Sequence, residues 1–455
     1  MLELLAAAML SQAPLTLQAV VPTSGTNAEA LLDGKSDTGW TPEGDSEGEG
    51  VLFRFEGEVT LNRVMVESCG GKRTALTAFV NGSQLGAVTV QGKKTPAAVM
   101  NGGKVHSVFL RLDDAGPGAC LSEVTFEMAK PLDVRAPRAL AATAKASSVL
   151  APADAYHPGY LFDGRLDFGW VEGVKGPGIG ESMALTFAAP ITLTALELWN
   201  GYQRSDDHFK KNARAKKIAV TVDGAEPVEF TLKDAQGSQK LAFPKPVSTK
   251  SLTLTIKEAY PGSKYDDLVL SELRLWDAEG PRAITTTDLS ERAAALKAEL
   301  ASGSLKGFVD RTLRSGCKLA GYELEAKFRT NHSFVIYRSS NEEETGEVKE
   351  VLDGTWILKD GKTVELFGRS HRTESANGPY ASPKETDTTS IIGGPLKVTR
   401  VSDLKKADYD ALLAKFTTGP LQWSFDCAEL KNFAKLSSDG AYVIEGRALT
   451  AILVP

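Results

Sequence analysis

Asp33-Gly34-Lys35-Ser36-Asp37-Thr38-Gly39-Trp40 returns 130 positions later as Asp163-Gly164-Arg165-Leu166-Asp167-Phe168-Gly169-Trp170. The shared pattern is D-G-x-x-D-x-G-W, preceded by Leu32 or Phe162. An internal copy of this kind marks two copies of one folding unit. Working outward, Val51, Phe53 and Phe55 alternate with polar residues, as do Met183, Leu185 and Phe187. Val59-Thr60-Leu61 matches Ile191-Thr192-Leu193, and Leu76–Gly82 matches Ile218–Gly224. Both of the latter segments end in a tight-turn pair, Asn81-Gly82 and Asp223-Gly224, which signals a hairpin. Leu121-Ser122-Glu123-Val124 matches Leu270-Ser271-Glu272-Leu273. Period-two alternation in nearly every matched segment predicts an antiparallel β-sandwich for each copy. Ile218, Val220, Val222, Leu252, Leu254 and Ile256 are expected to point inward.

The offsets also locate an insertion. The second copy gains ten residues between two matched strands, within Trp199–Lys217. A loop that grows on a duplicated scaffold is a natural place for added function.

Past Trp276 the pattern changes. Asp288-Leu289-Ser290-Glu291 opens a helix with an acidic first turn. A second short helix is expected within Gly303–Gly316, and another at Tyr409–Phe416. Strands return at Tyr322–Phe328, Phe334–Arg338, Gly354–Leu358 and Thr363–Phe367, with Asp360-Gly361 as a hairpin turn, and Ala448–Val454 ends the chain as a strand. The fold class expected is mainly β: two antiparallel sandwiches, then a smaller α+β domain with an antiparallel sheet or barrel. The organisation read from the sequence is a possible signal peptide at 1–13, sandwiches at 14–130 and 146–280 joined by a linker at 131–145, a helical linker at 281–303, and the last domain at 304–455.

Composition bounds the function. The chain has 455 residues and a net charge of −6, so no excess positive field exists to hold nucleic acid. Leu2–Leu10 followed by Ser11-Gln12-Ala13 resembles the apolar core and cleavage site of a secretory signal, although Glu3 stands where Lys or Arg is usual. No segment is long and apolar enough to span a bilayer. Of four cysteines, Cys69 and Cys120 fall in the first copy, Cys317 and Cys427 in the last domain, and none in the second copy. That partition predicts the disulfides Cys69–Cys120 and Cys317–Cys427 and an oxidising compartment, secreted or periplasmic in a bacterial cell envelope.

The Phe162-Asp163-Gly164…Trp170 opening and the Leu270-Ser271-Glu272-Leu273-Arg274-Leu275-Trp276 ending resemble discoidin domains, the galactose-binding-like sandwich of many carbohydrate-binding modules. Trp170-Val171-Glu172-Gly173-Val174-Lys175-Gly176 through Gly180-Glu181, with Asn200-Gly201-Tyr202 and Asn212-Ala213-Arg214, is similar to the NADase-type glycan-binding (translocation) domains. The resemblance is good over about 145–277 and looser over 18–128, where the Trp-Val-Glu-Gly stretch and the long basic loop are missing. It does not extend past 285. No NAD-hydrolysing domain is apparent.

The resemblance implies a structural calcium held by Asp163, Asp167 and Glu272, and by Asp33, Asp37 and Glu123 in the first copy, since calcium takes hard oxygens. The other reading is that each Asp-Gly aspartate caps its own turn. Trp40 and Trp170 are expected to fill the core. In the inserted loop Trp199, Asn200, Tyr202, Arg204, Phe209, Asn212 and Arg214 are the candidate ligand-binding residues. Aromatic faces suit sugar C–H groups, and Asn and Arg suit vicinal hydroxyls or acidic groups. Alternatively the loop is a solvated basic segment in which Trp199 and Tyr202 anchor the sandwich and Arg214 pairs with Glu172 or Glu181. The histidines His106, His157, His208, His332 and His371 form no catalytic motif. His371 beside Arg369 and Arg372 is either an anion site or a solvated hairpin end. The function expected is an exported non-enzymatic protein that binds glycan or acidic polysaccharide. A structural or protein-interacting envelope component, and an enzyme with its site in the last domain, are the alternatives.

Overall fold

Leu, Val, Ile and Phe at every second position drive long antiparallel strands whose one face is buried. The computed structural model describes residues 14–114, 118–128, 130, 132–303, 305–317, 322–342, 346–376, 384–418 and 427–455. The expected signal segment lies outside the described residues. The chain divides into two compact units, 1–139 with 279–283, and 140–278 with 284–455.

The first unit holds a six-stranded antiparallel sheet. Its strands run in the order Ala19–Pro22, Gly50–Ser68, Thr95–Asp114, Arg73–Val80, Ser83–Gln91, and Leu121–Met128 pairs with Gly50–Ser68. The second copy repeats this connectivity: Arg138–Ala146, Ser182–Asn200, Ser238–Tyr260, Arg214–Val222, Val228–Thr231, with Val269–Asp277 on Ser182–Asn200. A register shift between Thr186 and Ile191 breaks the 19-residue strand Ser182–Asn200. Met183–Phe187 pair with Ala142–Ala146, whereas Ala195–Asn200 pair with Leu270–Trp276. One strand thereby serves both layers, as bulges permit. Asn81 (φ 52°) and Gly82 (φ 84°) form the two-residue hairpin with both φ positive. Trp40 and Trp170 are both fully buried in their cores.

The copies share a hydrogen-bond framework as well as a topology. Each tryptophan Nε1 donates to a serine carbonyl, Ser24 or Ser148, at 2.9 Å. The same serines donate their hydroxyls to Glu49 or Glu181. The preceding hydroxyl, Thr23 or Ser147, accepts the N–H of Gly50 or Ser182 at 2.9 and 2.8 Å. Gly34 and Gly164 donate backbone N–H to Glu123 and Glu272 at 3.2 and 3.1 Å. Four equivalent polar contacts at equivalent places are the physical content of the duplication.

Residues 312–454 build a closed antiparallel barrel. Thr312–Ser315, Tyr322–Phe328, Ser333–Glu342, Gly346–Asp360, Thr363–Ala376, Lys384–Arg400, Tyr442–Gly446 and Ala451–Val454 pair in sequence and close on the first. Helices span Asp288–Leu300 and Lys406–Thr418, as expected. The short helix expected within Gly303–Gly316 is replaced by turns and the strand Thr312–Ser315. Its apolar residues Phe308 and Leu313 serve the barrel core instead. Both expected disulfides are present, with Cα–Cα distances of 5.4 Å for Cys69–Cys120 and 5.6 Å for Cys317–Cys427. No described helix is long and apolar enough to cross a membrane.

Candidate functional site

The insertion folds as a short helix, Asp206–Lys211, between strands Ser182–Asn200 and Arg214–Val222. Ser205 caps it: its hydroxyl accepts the His208 N–H at 3.2 Å. Gly201 has φ 74°, and a Cβ there would stand 2.4 Å from Arg214 Cγ and 2.8 Å from the Phe209 ring. Only glycine allows the strand to turn this close to the loop's own side chains.

All seven candidate residues are buried, contrary to the expected outward patch, and four of them are taken up by the sandwich and the barrel. The Asn200 amide donates to the Ala215 carbonyl at 2.7 Å and accepts its N–H at 2.9 Å, so the strand backbone consumes it. Tyr202 packs with Val171 and Val269, and burial raises its phenol pKa. Trp199 is 3% exposed under the Arg274 guanidinium. Arg204 is 2% exposed. It donates to the carbonyls of Asp167 at 2.6 Å and of Phe367, on the barrel, at 2.8 Å, while Arg369 donates back to the Arg204 carbonyl. Tyr156 meets Phe367 edge-on at 5.6 Å beside this contact. His208 is held neutral, its pKa pushed down to about 2 by burial first and by the Arg204 charge second. Apolar and cationic groups that could meet a ligand therefore join the second sandwich to the barrel within one compact unit.

Of the remaining three, Asn212 is buried behind the loop, and Phe209 and Arg214 show only an edge, the Arg214 guanidinium lying over the Phe209 ring at 5.2 Å. Phe209 and Arg214 border a shallow depression of about 740 Å³ completed by Asp206, Lys210, Asp234 and Gln236. Arg214 holds Asp234 as a fork, Nε–Oδ1 2.9 Å and Nη2–Oδ2 2.7 Å, and so not the expected Glu172 or Glu181. Its Nη1 donates to the carbonyls of Asn212 and Pro261, both at 2.9 Å. Asn212 is thereby a brace, its amide donating to the His208 carbonyl at 2.8 Å. The depression offers an aromatic flank, two carboxylates, two cations and an amide. Opposed charges cancel across it, so its field is near neutral. Asp234 was missed by sequence reasoning, because only the polar turn Asp234-Ala235-Gln236-Gly237 marks it and nothing local ties it to Arg214, 20 residues away.

Glu172 serves a separate purpose. Its two oxygens accept the N–H groups of Leu268 (3.1 Å) and Val174 (2.8 Å), fastening the loop that follows Trp170. Burial raises its pKa against these hydrogen bonds.

The calcium trios do not close. Among the described residues, the sole group of three His, Cys, Asp or Glu donors within reach of one ion is Cys317, Cys427 and Glu429, and both of its sulfurs form a disulfide. Arg165 draws Asp167 away through Nη2–Oδ2 at 2.9 Å, which lowers the Asp167 pKa against its burial. Asp163 stays beside Glu272, and burial with that like charge raises the Asp163 pKa well above the usual carboxylate range. In the first copy Asp33 accepts Lys35 N–H at 2.9 Å and the Thr38 hydroxyl, as an Asp-Gly turn cap does, and Asp37 is exposed. Burial lifts Glu123 to about 7. Each copy therefore brings one aspartate beside the glutamate of its last strand, Asp163 beside Glu272 and Asp33 beside Glu123.

In the barrel, Arg369 pairs with Asp353 at 2.9 Å, and His371 lies 3.2 Å from the Thr389 hydroxyl. Arg372 points to the opposite face of their strand, so the three do not assemble an anion site. His332 is buried against the Trp356 carbonyl at 3.0 Å.

Residues 135–276 match the family model of the NAD glycohydrolase translocation F5/8 type C domain. No curated protein matches this chain. Solved structures similar to it include the CBM32-1 and CBM32-2 domains of Clostridium perfringens ZmpB in complex with GalNAc, at 11% identity over 57% of this chain and 89% of that one, TM-score 0.24. The family 32 module of C. perfringens NanJ in complex with galactose is 16% identical over 30% of this chain and 92% of its own, TM-score 0.25. An F-lectin from striped bass (Morone saxatilis) serum is 10% identical over 56% and 94%, TM-score 0.23. The discoidin-like fold stands on the strand register and the family match.

Proposed function

We propose that this chain is an exported, non-enzymatic binding protein whose second sandwich takes a neutral glycan in the depression between Phe209 and Asp234. The observation that carries this is the composition of that depression. An aromatic flank, a fixed carboxylate–guanidinium fork and an amide lie on one concave face, as sugar hydroxyls and C–H faces require. The balanced charge favours a neutral glycan over the acidic polysaccharide that the basic loop suggested. The two disulfides and the glycan-binding family match support an extracellular site of action. In this reading calcium, where present, is held through Asp163 and Glu272, and through Asp33 and Glu123, and it stiffens the loops without touching the sugar.

The test is a glycan array with the full chain and with Phe209→Ala, Asp234→Asn and Gln236→Ala. Binding to neutral glycans, weakened about tenfold or more by each variant, is the expected result. A folded protein that binds no glycan contradicts the proposal. A second reading, a structural or protein-interacting envelope component, draws on the packing of Arg204 and Tyr156 against the barrel, which makes the loop an internal brace. Capture of a stoichiometric protein partner without sugar binding favours it.

A further inference from the structure

Among the described residues the barrel is filled by aromatic side chains at one end and lines a cavity at the other. At the filled end Phe308, Phe328, Phe334, Trp356 and Tyr442 stack, with Phe308–Phe328 centroids 4.7 Å apart and Phe308–Tyr442 5.3 Å. Moving along the same strands, the inward positions change character. Phe328 gives way to Leu324 and Tyr322, Phe334 to Ile336 and Arg338, and Trp356 to Leu352, Glu350 and Val348. These last residues enclose a cavity of about 370 Å³ at the opposite end, within the size range of small-molecule sites. Its far wall comes from Leu430, Leu449 and Ile452. The Cys317–Cys427 disulfide ties the Leu430 segment to the end of the first barrel strand.

The polar groups of this cavity are arranged with a bias. Glu350, 7% exposed, sits inside the barrel and is spoken for: Arg338 Nε donates to it at 2.5 Å and the Ser370 hydroxyl donates to its other oxygen. Arg372 and Arg447 also line the cavity. Arg372 pairs with Glu374 at 2.6 Å, a contact open to water on both sides. Among the described residues Arg447 has no ionic or hydrogen-bonded partner. Arg338 is thus matched by the enclosed Glu350 and Arg372 by Glu374, which leaves Arg447 as the unmatched charge at the rim of a mainly apolar hole, in a chain whose net charge is −6. Among the described residues no aromatic cluster fills this end as one fills the other. Arginine forks at an apolar mouth suit a planar or tetrahedral anion.

We propose that the hollow end of the barrel binds an anionic amphiphile, an apolar chain or ring that lies against Leu324, Val348 and Ile452 and carries a carboxylate or phosphate met by Arg372 and Arg447. This site is independent of the glycan depression, which lies on the second sandwich.

The experiment is a titration of the full chain with dodecanoate, dodecyl phosphate and dodecanol, read by displacement of a fluorescent apolar probe and by calorimetry. One or both anions are expected to bind, with dodecanol at least tenfold weaker. The better of the two anions identifies the head group. Arg447→Gln and Arg372→Gln, both at exposed side chains, should each weaken the anion about tenfold and leave dodecanol unchanged. Val348→Trp should abolish binding of all three while circular dichroism shows a folded chain. Equal affinity for anion and alcohol, insensitivity to both arginine variants, or no binding by the folded wild type overturns the proposal.

Discussion

Glu123→Gln should make the protein more stable at pH 8 and leave it unchanged at pH 4. Glu123 receives one hydrogen bond, from the Gly34 N–H at 3.2 Å, and burial outweighs both that bond and the attraction of Lys94. Its pKa rises from an ordinary 4.5 to about 7. The sign follows directly. An acid that holds its proton more tightly when folded contributes stability below pH 4.5, and that contribution fades as pH climbs from 4.5 to about 7. The full shift corresponds to about 3 kcal/mol, which solvent screening of a partly open rim trims to about 2 kcal/mol. Glutamine can still accept the Gly34 N–H but carries no charge, so the variant escapes the loss. Denaturant unfolding of both proteins at pH 4 and pH 8, with calcium chelated, measures the difference. Millimolar calcium should then restore the wild type at pH 8 and do nothing for the variant, since the cation substitutes for the lost proton. A variant that is less stable than the wild type at pH 8 without calcium would refute the reasoning.

Other consequences are equally direct. Ser24→Ala and Ser148→Ala each remove the hydroxyl that donates to Glu49 or Glu181, so both should destabilise their own sandwich by about 1–3 kcal/mol, measured by denaturant melts. Clearly unequal costs would show that the shared framework is only geometric. Reduction of Cys317–Cys427, which closes 110 residues, should cost the barrel about 5 kcal/mol by the chain-entropy estimate, seen as a lowered Tm under reductant. Glu172→Gln places an amide N–H₂ against one of two donors, Leu268 or Val174 N–H, and should cost about 1–3 kcal/mol and speed hydrogen exchange at that loop.

Much of the fold was legible because its signals are local. Alternation marks strands, Asn81-Gly82 marks a hairpin, and a repeated phrase marks a copied module whose polar framework returns residue for residue. The disulfide pairing followed from how the cysteines are divided along the chain. The candidate site was legible only in part. Sequence places Tyr202 and Arg204 in an inserted loop, but Tyr202 turns in against Val171 and Val269, and Arg204 reaches the Phe367 carbonyl, 163 residues away on another sheet. The alternative reading paired Arg214 with Glu172 or Glu181, and the fold brings Asp234 to it instead. The carboxylates of each trio are spread for a similar reason. Arg165, two residues from Asp167, competes for it, and the repeat's first copy has Lys35 at that position. The hollow end of the barrel had no sequence signal, because inward Arg338 and Glu350 read as ordinary surface charges in an alternating strand.

The central claim is that the face bounded by Phe209, Lys210, Asp234 and Gln236 holds a sugar. The direct measurement is amide and side-chain chemical-shift mapping of the full chain with the best neutral oligosaccharide from the array. The account predicts perturbations confined to residues 206–214, 234–236 and 261–263. Shifts centred on the first sandwich or on the barrel, with this face silent, would contradict it.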